Sequence, residues 1–163
     1  MMKTQYRKVK KYLSIIDSTR FCNTRPVEAL TYCPCGYKEG NTPPPLSEFT
    51  AFEPGGVWGS GWDSHAWFHF TVNVTGELAE KPVRLKVNTD RRGWDADNPQ
   101  FIAYINGEMR QGMDTNHTCV ELDGAGVYDV YIYGYTGPKI SSTRFYAEIM
   151  NVNTVAEQLY YDI

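Results

Sequence analysis

Trp67-Phe68-His69-Phe70-Thr71-Val72-Asn73-Val74 is the stretch on which the fold class turns. Phe68, Phe70, Val72 and Val74 alternate with His69, Thr71 and Asn73. Successive strand side chains point to opposite faces, so a period of two buries one set and leaves the other outside. The same alternation recurs downstream. Val83, Leu85 and Val87 alternate with Arg84, Lys86 and Asn88, and Phe101 to Ile105 forms a further strand. Asn106-Gly107 closes that strand as a hairpin signal, since both residues tolerate the positive φ of a type I′ turn. Val120 and Leu122 mark a short strand, Gly124-Ala125-Gly126 turns the chain, and Val127–Tyr135 and Phe145–Met150 supply two more. Many short strands with turn residues every ten or so positions, and no crossover helices, argue an antiparallel sandwich. In Val127–Tyr135, Tyr128, Val130 and Ile132 read as core. Val127, Asp129, Tyr131, Tyr133 and Tyr135 point the other way, as half-buried packing, a docking interface or a binding face.

Upstream the texture differs. Tyr6, Val9, Leu13 and Ile16 recur at spacings of three and four, which predicts a helix over 4–19. Arg7, Lys8, Lys10 and Lys11 charge its other faces, so the helix has to dock on something. From Asn23 to Ser47, Pro26, Pro34 and Pro43-Pro44-Pro45 break both helix and ladder, which predicts an extended arm.

The 163 residues suit one domain, and a chain of that size buries roughly 70% of its unfolded surface. With 16 Lys+Arg against 19 Asp+Glu, the formal net charge is −3. That balance disfavours nucleic acid and anionic membranes as partners, which select a basic face. No apolar run approaches the roughly 20 residues needed to cross a bilayer. The basic stretch Lys3 to Lys11 leads into a short apolar group without a cleavage site, so no secretory signal is read and a cytoplasmic location is expected. Cys22, Cys33, Cys35 and Cys119 are then reduced thiols, and Asn73-Val74-Thr75 and Asn116-His117-Thr118 are chance sequons. Cys33-Pro34-Cys35 is too closely spaced for the usual zinc knuckle, and no metal ligand set is read here.

The sequence offers residues for four kinds of chemistry. Asp90, Asp95, Asp97 and Asp114 fall in loops where two carboxylates could converge as a glycosidase pair, although loop Asp residues commonly cap turns. Asp95-Ala96-Asp97-Asn98 alternates oxygen donors as a Ca²⁺ loop would, but lacks the Gly and distal Glu of an EF-hand. Asp63, Ser64 and His65 are adjacent in sequence, whereas a triad needs separate elements. Trp58, Trp62, Trp67 and Trp94 offer flat faces on which a sugar could stack, within an aromatic share of 14%. Stacking and packing readings both stay open for them.

Two segments carry a family resemblance. They are Val57-Trp58-Gly59 leading into Trp62-Asp63-Ser64-His65-Ala66-Trp67-Phe68, and Ala103-Tyr104-Ile105-Asn106-Gly107-Glu108-Met109-Arg110-Gln111-Gly112-Met113-Asp114-Thr115-Asn116-His117. They resemble the N-terminal β-sandwich domain of the cytosolic and bacterial α-mannosidases of glycoside hydrolase family 38. Glu157-Gln158-Leu159-Tyr160-Tyr161-Asp162-Ile163 resembles that family's exit into a helical connector. The resemblance implies a mainly β, jelly-roll-like, galactose-binding-domain-like sandwich. Residues 1–50 would be the helix and arm, and 51–163 the sandwich, ending at a connector to a catalytic domain outside this chain. It implies an accessory part of an α-mannosidase, not catalytic alone, with its nucleophile, acid/base and divalent metal such as zinc in the absent domain. Asn106, Gly112, Asp114 and His117 would shape the active-site rim or the interdomain contact, Gly112 by admitting close backbone approach. Trp58, Trp62 and Trp94 are the candidates for sugar contact. The implied partners are the catalytic domain of the same polypeptide, a mannoside or oligosaccharide, and a second copy of the chain. A stand-alone carbohydrate-binding module is the alternative.

Overall fold

A computed structural model describes residues 2–37, 42–91 and 98–163. In chain order the elements are α1 (Met2–Asp17), β1 (Phe21–Pro26), β2 (Leu30–Cys35), β3 (Thr50–Phe52), β4 (Val57–Trp58) and β5 (His65–Val74). They continue with β6 (Val83–Asn88), β7 (Gln100–Ile105), β8 (Glu108–Met113), β9 (Cys119–Leu122), β10 (Gly126–Tyr135), β11 (Thr143–Arg144), β12 (Tyr146–Val152) and α2 (Thr154–Asp162). The protein is a mainly β, antiparallel sandwich with an N-terminal helix. One sheet has the order β1-β12-β6-β9 and the other β3-β2-β5-β10-β7-β8. A short β11-β4 pair forms a third, two-stranded sheet.

The alternation read from the sequence sets the layers. Phe68, Phe70, Val72 and Val74 of β5 are buried with Tyr128, Val130 and Ile132 of β10 and with Val83, Leu85 and Val87 of β6. Removing such side chains from water contributes about 1.5–3 kcal/mol each. An aromatic knot occupies the centre. Phe68 stacks on Phe145 at 3.8 Å between centroids, and Tyr32, Phe52 and Trp58 meet its edges. Trp58 lies over Gly134, where a Cβ would come within 3.0 Å of the indole and 3.1 Å of Phe101. The missing side chain of Gly134 is therefore what admits the tryptophan.

The proline-rich segment is extended, and it does more than lie over a surface. β1 pairs with β12 at the edge of the four-stranded sheet, and β2 pairs with β5 inside the six-stranded one. The prolines fit because of where they fall. Pro26 ends an edge strand. Pro34 stands opposite Ala66 of β5, beyond the Leu30–Tyr32 stretch that pairs with β3, so that flank is an edge too. A proline at an edge costs no ladder hydrogen bond. The helix docks, but lightly. α1 packs on α2, with Leu13 and Ile16 half-buried, while Tyr6, Val9, Tyr12 and Ile15 stay exposed.

Candidate functional site

A second aromatic layer lies on the outer face of the six-stranded sheet, away from the main core. Cys33, Trp67 and Tyr133 are buried there, with Cys35, Phe49, Ile102, Tyr104 and Tyr131 packed against them. Apart from Phe49, which precedes β3, these residues occupy the positions of β2, β5, β7 and β10 that alternate with the core positions. Trp67 meets Tyr104 at 5.4 Å and Tyr133 at 5.1 Å between ring centroids. The tyrosines at 131, 133 and 135 thus share one face, and Tyr131 and Tyr133 pack into this layer.

Beside that layer a groove of about 600 Å³ opens between the β2 end and the β8 end of the sheet. Tyr37, His65, Gln100, Gly112, Asp114 and Tyr135 are among its lining residues. The sheet register builds it, since His65 pairs with Tyr135 across β5 and β10, and Tyr135 pairs with Gln100 of β7. The His65 ring stacks on Tyr135 at 4.8 Å and 19°, and on Tyr133 at 5.8 Å and 27°. Tyr37 meets it edge-on at 6.0 Å.

Electrostatics fix the protons of this cluster. Burial holds the His65 imidazole below its ordinary value, against the opposing pull of Asp63. Burial likewise pushes the Tyr133 phenol up to about 12. Tyr133 therefore keeps its proton, and its hydroxyl lies 2.6 Å from His65 Nδ1. That contact engages Nδ1 in either tautomer of the neutral ring and leaves Nε2 outside it. Tyr135 donates to Asp63 Oδ1 at 2.8 Å, and Asp63 sits at φ 56 in the turn before β5.

Across the groove, Asp114 is held by its own loop. Its Oδ1 accepts from the backbone N–H groups of Asn116 and His117, both at 2.7 Å, and the His117 ring lies 3.1 Å away. Burial alone would raise the Asp114 carboxyl, and the two backbone donors together with the His117 ring outweigh it and hold it low. The pairing of Asp114 with His117 is thus an Asx-type turn whose histidine is 74% exposed.

The other sequence candidates scatter. Asn106 and Gly107 take φ 52 and 82, as the hairpin reading expects. The Asn106 side chain accepts from Asp129 N at 2.8 Å, which ties the hairpin to β10 at the end opposite the groove. Gly112 lines the groove but admits no close backbone approach, because a Cβ there would meet nothing within 4 Å. Its bare backbone leaves the groove open instead. Trp58 is 2% exposed and offers no face to a sugar, being locked among Phe68, Phe101 and Gly134. Trp62 is 66% exposed and is not among the groove-lining residues. Trp94 lies outside the described residues, as do Asp95 and Asp97 of the candidate calcium loop and carboxylate pair.

The remaining catalytic readings meet specific obstacles. Asp90 and Asp114 both line one polar groove of about 950 Å³. Asp90 accepts from Thr143 Oγ1 at 2.6 Å and Arg144 N at 3.1 Å. These bonds outweigh burial, which acts upward, and hold it low as well. A glycosidase acid must keep a proton near neutral pH, and neither carboxyl does. Ser64 Oγ donates to Gly61 O at 2.7 Å while His65 Nδ1 is engaged by Tyr133, so Ser64 and His65 are not paired as nucleophile and base. The four cysteines form no disulfide. Among the described residues no group of three or more His, Cys, Asp or Glu is placed to hold a metal ion. No described helix is long and apolar enough to cross a membrane.

Comparison with known proteins points away from the family expected from sequence. The chain matches no family model and no curated protein sequence. Solved structures do match. The β-glucuronidase of Faecalibacterium prausnitzii aligns with a TM-score of 0.55 at 8% identity over 82% of this chain and 32% of that one. A β-glucuronidase from Ruminococcus gnavus in complex with D-glucaro 1,5-lactone gives 0.51 at 7% over 82% and 30%. Bacteroides uniformis β-glucuronidase 2 gives 0.50 at 11% over 78% and 18%. At such identities the likeness shows the fold alone. This chain spans about a third or less of the length of each. The resemblance to family 38 α-mannosidases is thereby corrected, since these neighbours are β-glucuronidases and nothing in the comparisons points to that family. The Trp and Asn-Gly segments that carried it serve the sandwich itself, as core aromatic and as hairpin turn.

Proposed function

We propose that this chain is a non-catalytic accessory β-sandwich domain of a glycoside hydrolase. One observation carries the reading. The fold aligns with a minor part of several β-glucuronidase chains, while Asp90 and Asp114, which line one groove, are both held ionised by hydrogen bonds, Asp90 from Thr143 and Arg144 and Asp114 from the His117 and Asn116 amides. A glycosidase needs one carboxyl that retains its proton, and neither of these two described carboxyls supplies it. The outer aromatic layer supports the accessory role. A sandwich needs one core, and Cys33, Trp67 and Tyr133 form a second buried cluster on the face that a neighbouring domain or a ligand would meet.

A second reading, a carbohydrate-binding module acting by itself, is favoured by the open groove at His65, Gly112 and Tyr135. Activity separates the two. The 163-residue chain is expected to release no nitrophenol from a panel of nitrophenyl glycosides. The complete product of its gene is expected to hydrolyse at least one. A complete gene product without glycosidase activity would overturn the accessory reading, and turnover by the chain alone would overturn its non-catalytic character.

A further inference from the structure

We propose that the groove bounded by Tyr37, His65, Gly112, Asp114 and Tyr135 is a binding site for a neutral pyranose sugar. The proposal deepens the glycoside hydrolase reading by assigning a sugar site to this domain, and it rests on that reading for its ligand class. The geometry supplies the recognition. A volume of about 600 Å³ falls within the ~300–1,000 Å³ typical of small-ligand sites. One wall consists of ring faces, with His65 and Tyr135 stacked 19° from parallel and Tyr37 set against them. Such rings suit the apolar C–H face of a pyranose. The same wall carries a polar ring edge. Tyr133 engages Nδ1, so Nε2 is the His65 nitrogen left outside that contact, and a sugar hydroxyl can donate to it or accept from it.

The opposite wall carries an acceptor. Asp114 Oδ1 is taken up by the Asn116 and His117 amides, while Oδ2 has the His117 ring at 3.3 Å and retains lone-pair capacity. A purely apolar ligand would strip water from this carboxylate and from His65 without replacing it, at a cost of about 1–3 kcal/mol per group. A polyol ring satisfies both. The charge of the sugar follows from the lining. Asp114 is ionised, Asp63 anchors Tyr135 nearby, and no Lys or Arg is among the described lining residues. A uronate would bring a third carboxylate to this place with nothing described to pair it, so the site selects an uncharged ring.

Gly112 provides the decisive variant. A Cβ at this position meets nothing within 4 Å and the residue is not at positive φ, so Gly112→Leu fills the groove without strain. The 163-residue chain is titrated with methyl glucopyranoside, methyl galactopyranoside and sodium glucuronate. Intrinsic fluorescence and amide chemical shifts report binding, and thermal unfolding checks each variant. At least one neutral glycoside is expected to bind saturably with Kd on the order of millimolar. Glucuronate is expected to bind about tenfold or more weaker, and Gly112→Leu and Tyr135→Ala to weaken the neutral sugar by about tenfold, the equivalent of one lost stacking contact. Binding untouched by a folded Gly112→Leu variant would overturn the groove as the site. Tighter binding of glucuronate would overturn the neutral class. No saturable binding up to about 50 mM would overturn the site altogether. The accessory reading would survive all three results, because it is decided by hydrolysis in the complete gene product.

Discussion

His65 gathers more of the groove's geometry than any other side chain, and its protonation state is a stability variable. The ring is half-buried and stacked on two tyrosines, and burial holds it below its ordinary value against the opposing pull of Asp63. The folded value lies below the ordinary 6.5, so the unfolded chain takes up its proton first as the pH falls. Stability from His65 is therefore complete above about pH 6.5 and declines below it until the folded ring also protonates. We expect the thermal midpoint of the wild type to fall between pH 7.5 and 5, with a shallower fall in His65→Gln. Parallel curves for the two proteins would refute the linkage. The carboxylates Asp90, Asp114 and Glu157, also held low, lose their contribution only as pH falls below about 4.5. Their window lies apart from that of the histidine.

The helix at the C-terminal end shows how an element with little apolar burial is secured. α2 buries only Ala156 among its residues and exposes Val155, Leu159 and Tyr161, so packing alone holds it weakly. Asn153 caps it by accepting from Ala156 N at 3.2 Å. Glu157 then projects between Arg84 of β6 and Arg20, the residue before β1. Burial acts to raise the Glu157 carboxyl, and hydrogen bonds from Arg84 and Arg20 overcome it. The two guanidinium side chains are only 12% and 20% exposed. Glu157→Ala leaves Asp17 to pair with Arg20 and Glu121 to pair with Arg84, and we expect a loss of about 1 kcal/mol in urea unfolding. An unchanged midpoint would mean the pairs contribute nothing beyond solvation. Much of this level was legible in advance. Period two placed the core faces of β5, β6 and β10, and Asn106-Gly107 placed the β7–β8 turn. Two things were not. Pro26 and Pro34 read as ladder breakers because nothing local tells that each would fall on an edge. Trp58 read as a candidate platform because its burial depends on Gly134, far along the chain. The groove was hidden for the same reason. His65, Gly112 and Tyr135 meet only through strand register, which alternation alone does not specify.

The whole sandwich turns on how much of it the N-terminal segment supplies, and this bears on where the folding unit begins. The sequence suggests a boundary near residue 50, with helix and arm before it and sandwich after. The strand pairing argues against independence of the two parts. β1 and β2 lie in different sheets with only residues 27–29 between them, and the Val27 amide donates to Ala147 O at 2.9 Å on the way. Val27, Leu30 and Cys33 are buried. Without residues 1–50, β12 loses its outer partner and β5 loses β2, which uncovers Trp67 and Phe68 along one side. Two exposed sheet edges flanking large aromatics are a template for aggregation rather than a stable fold. α1 is different in kind, since Tyr6, Tyr12 and Ile15 are exposed and its packing is on α2. A chain of residues 18–163 is therefore expected to unfold in one cooperative transition within a few degrees of the full protein. A chain of residues 51–163 is expected to aggregate or to show no cooperative transition. Circular dichroism melts and size-exclusion profiles of the two would decide it. A monomeric, sharply melting 51–163 chain would establish the boundary at residue 50 and reduce β1 and β2 to an arm.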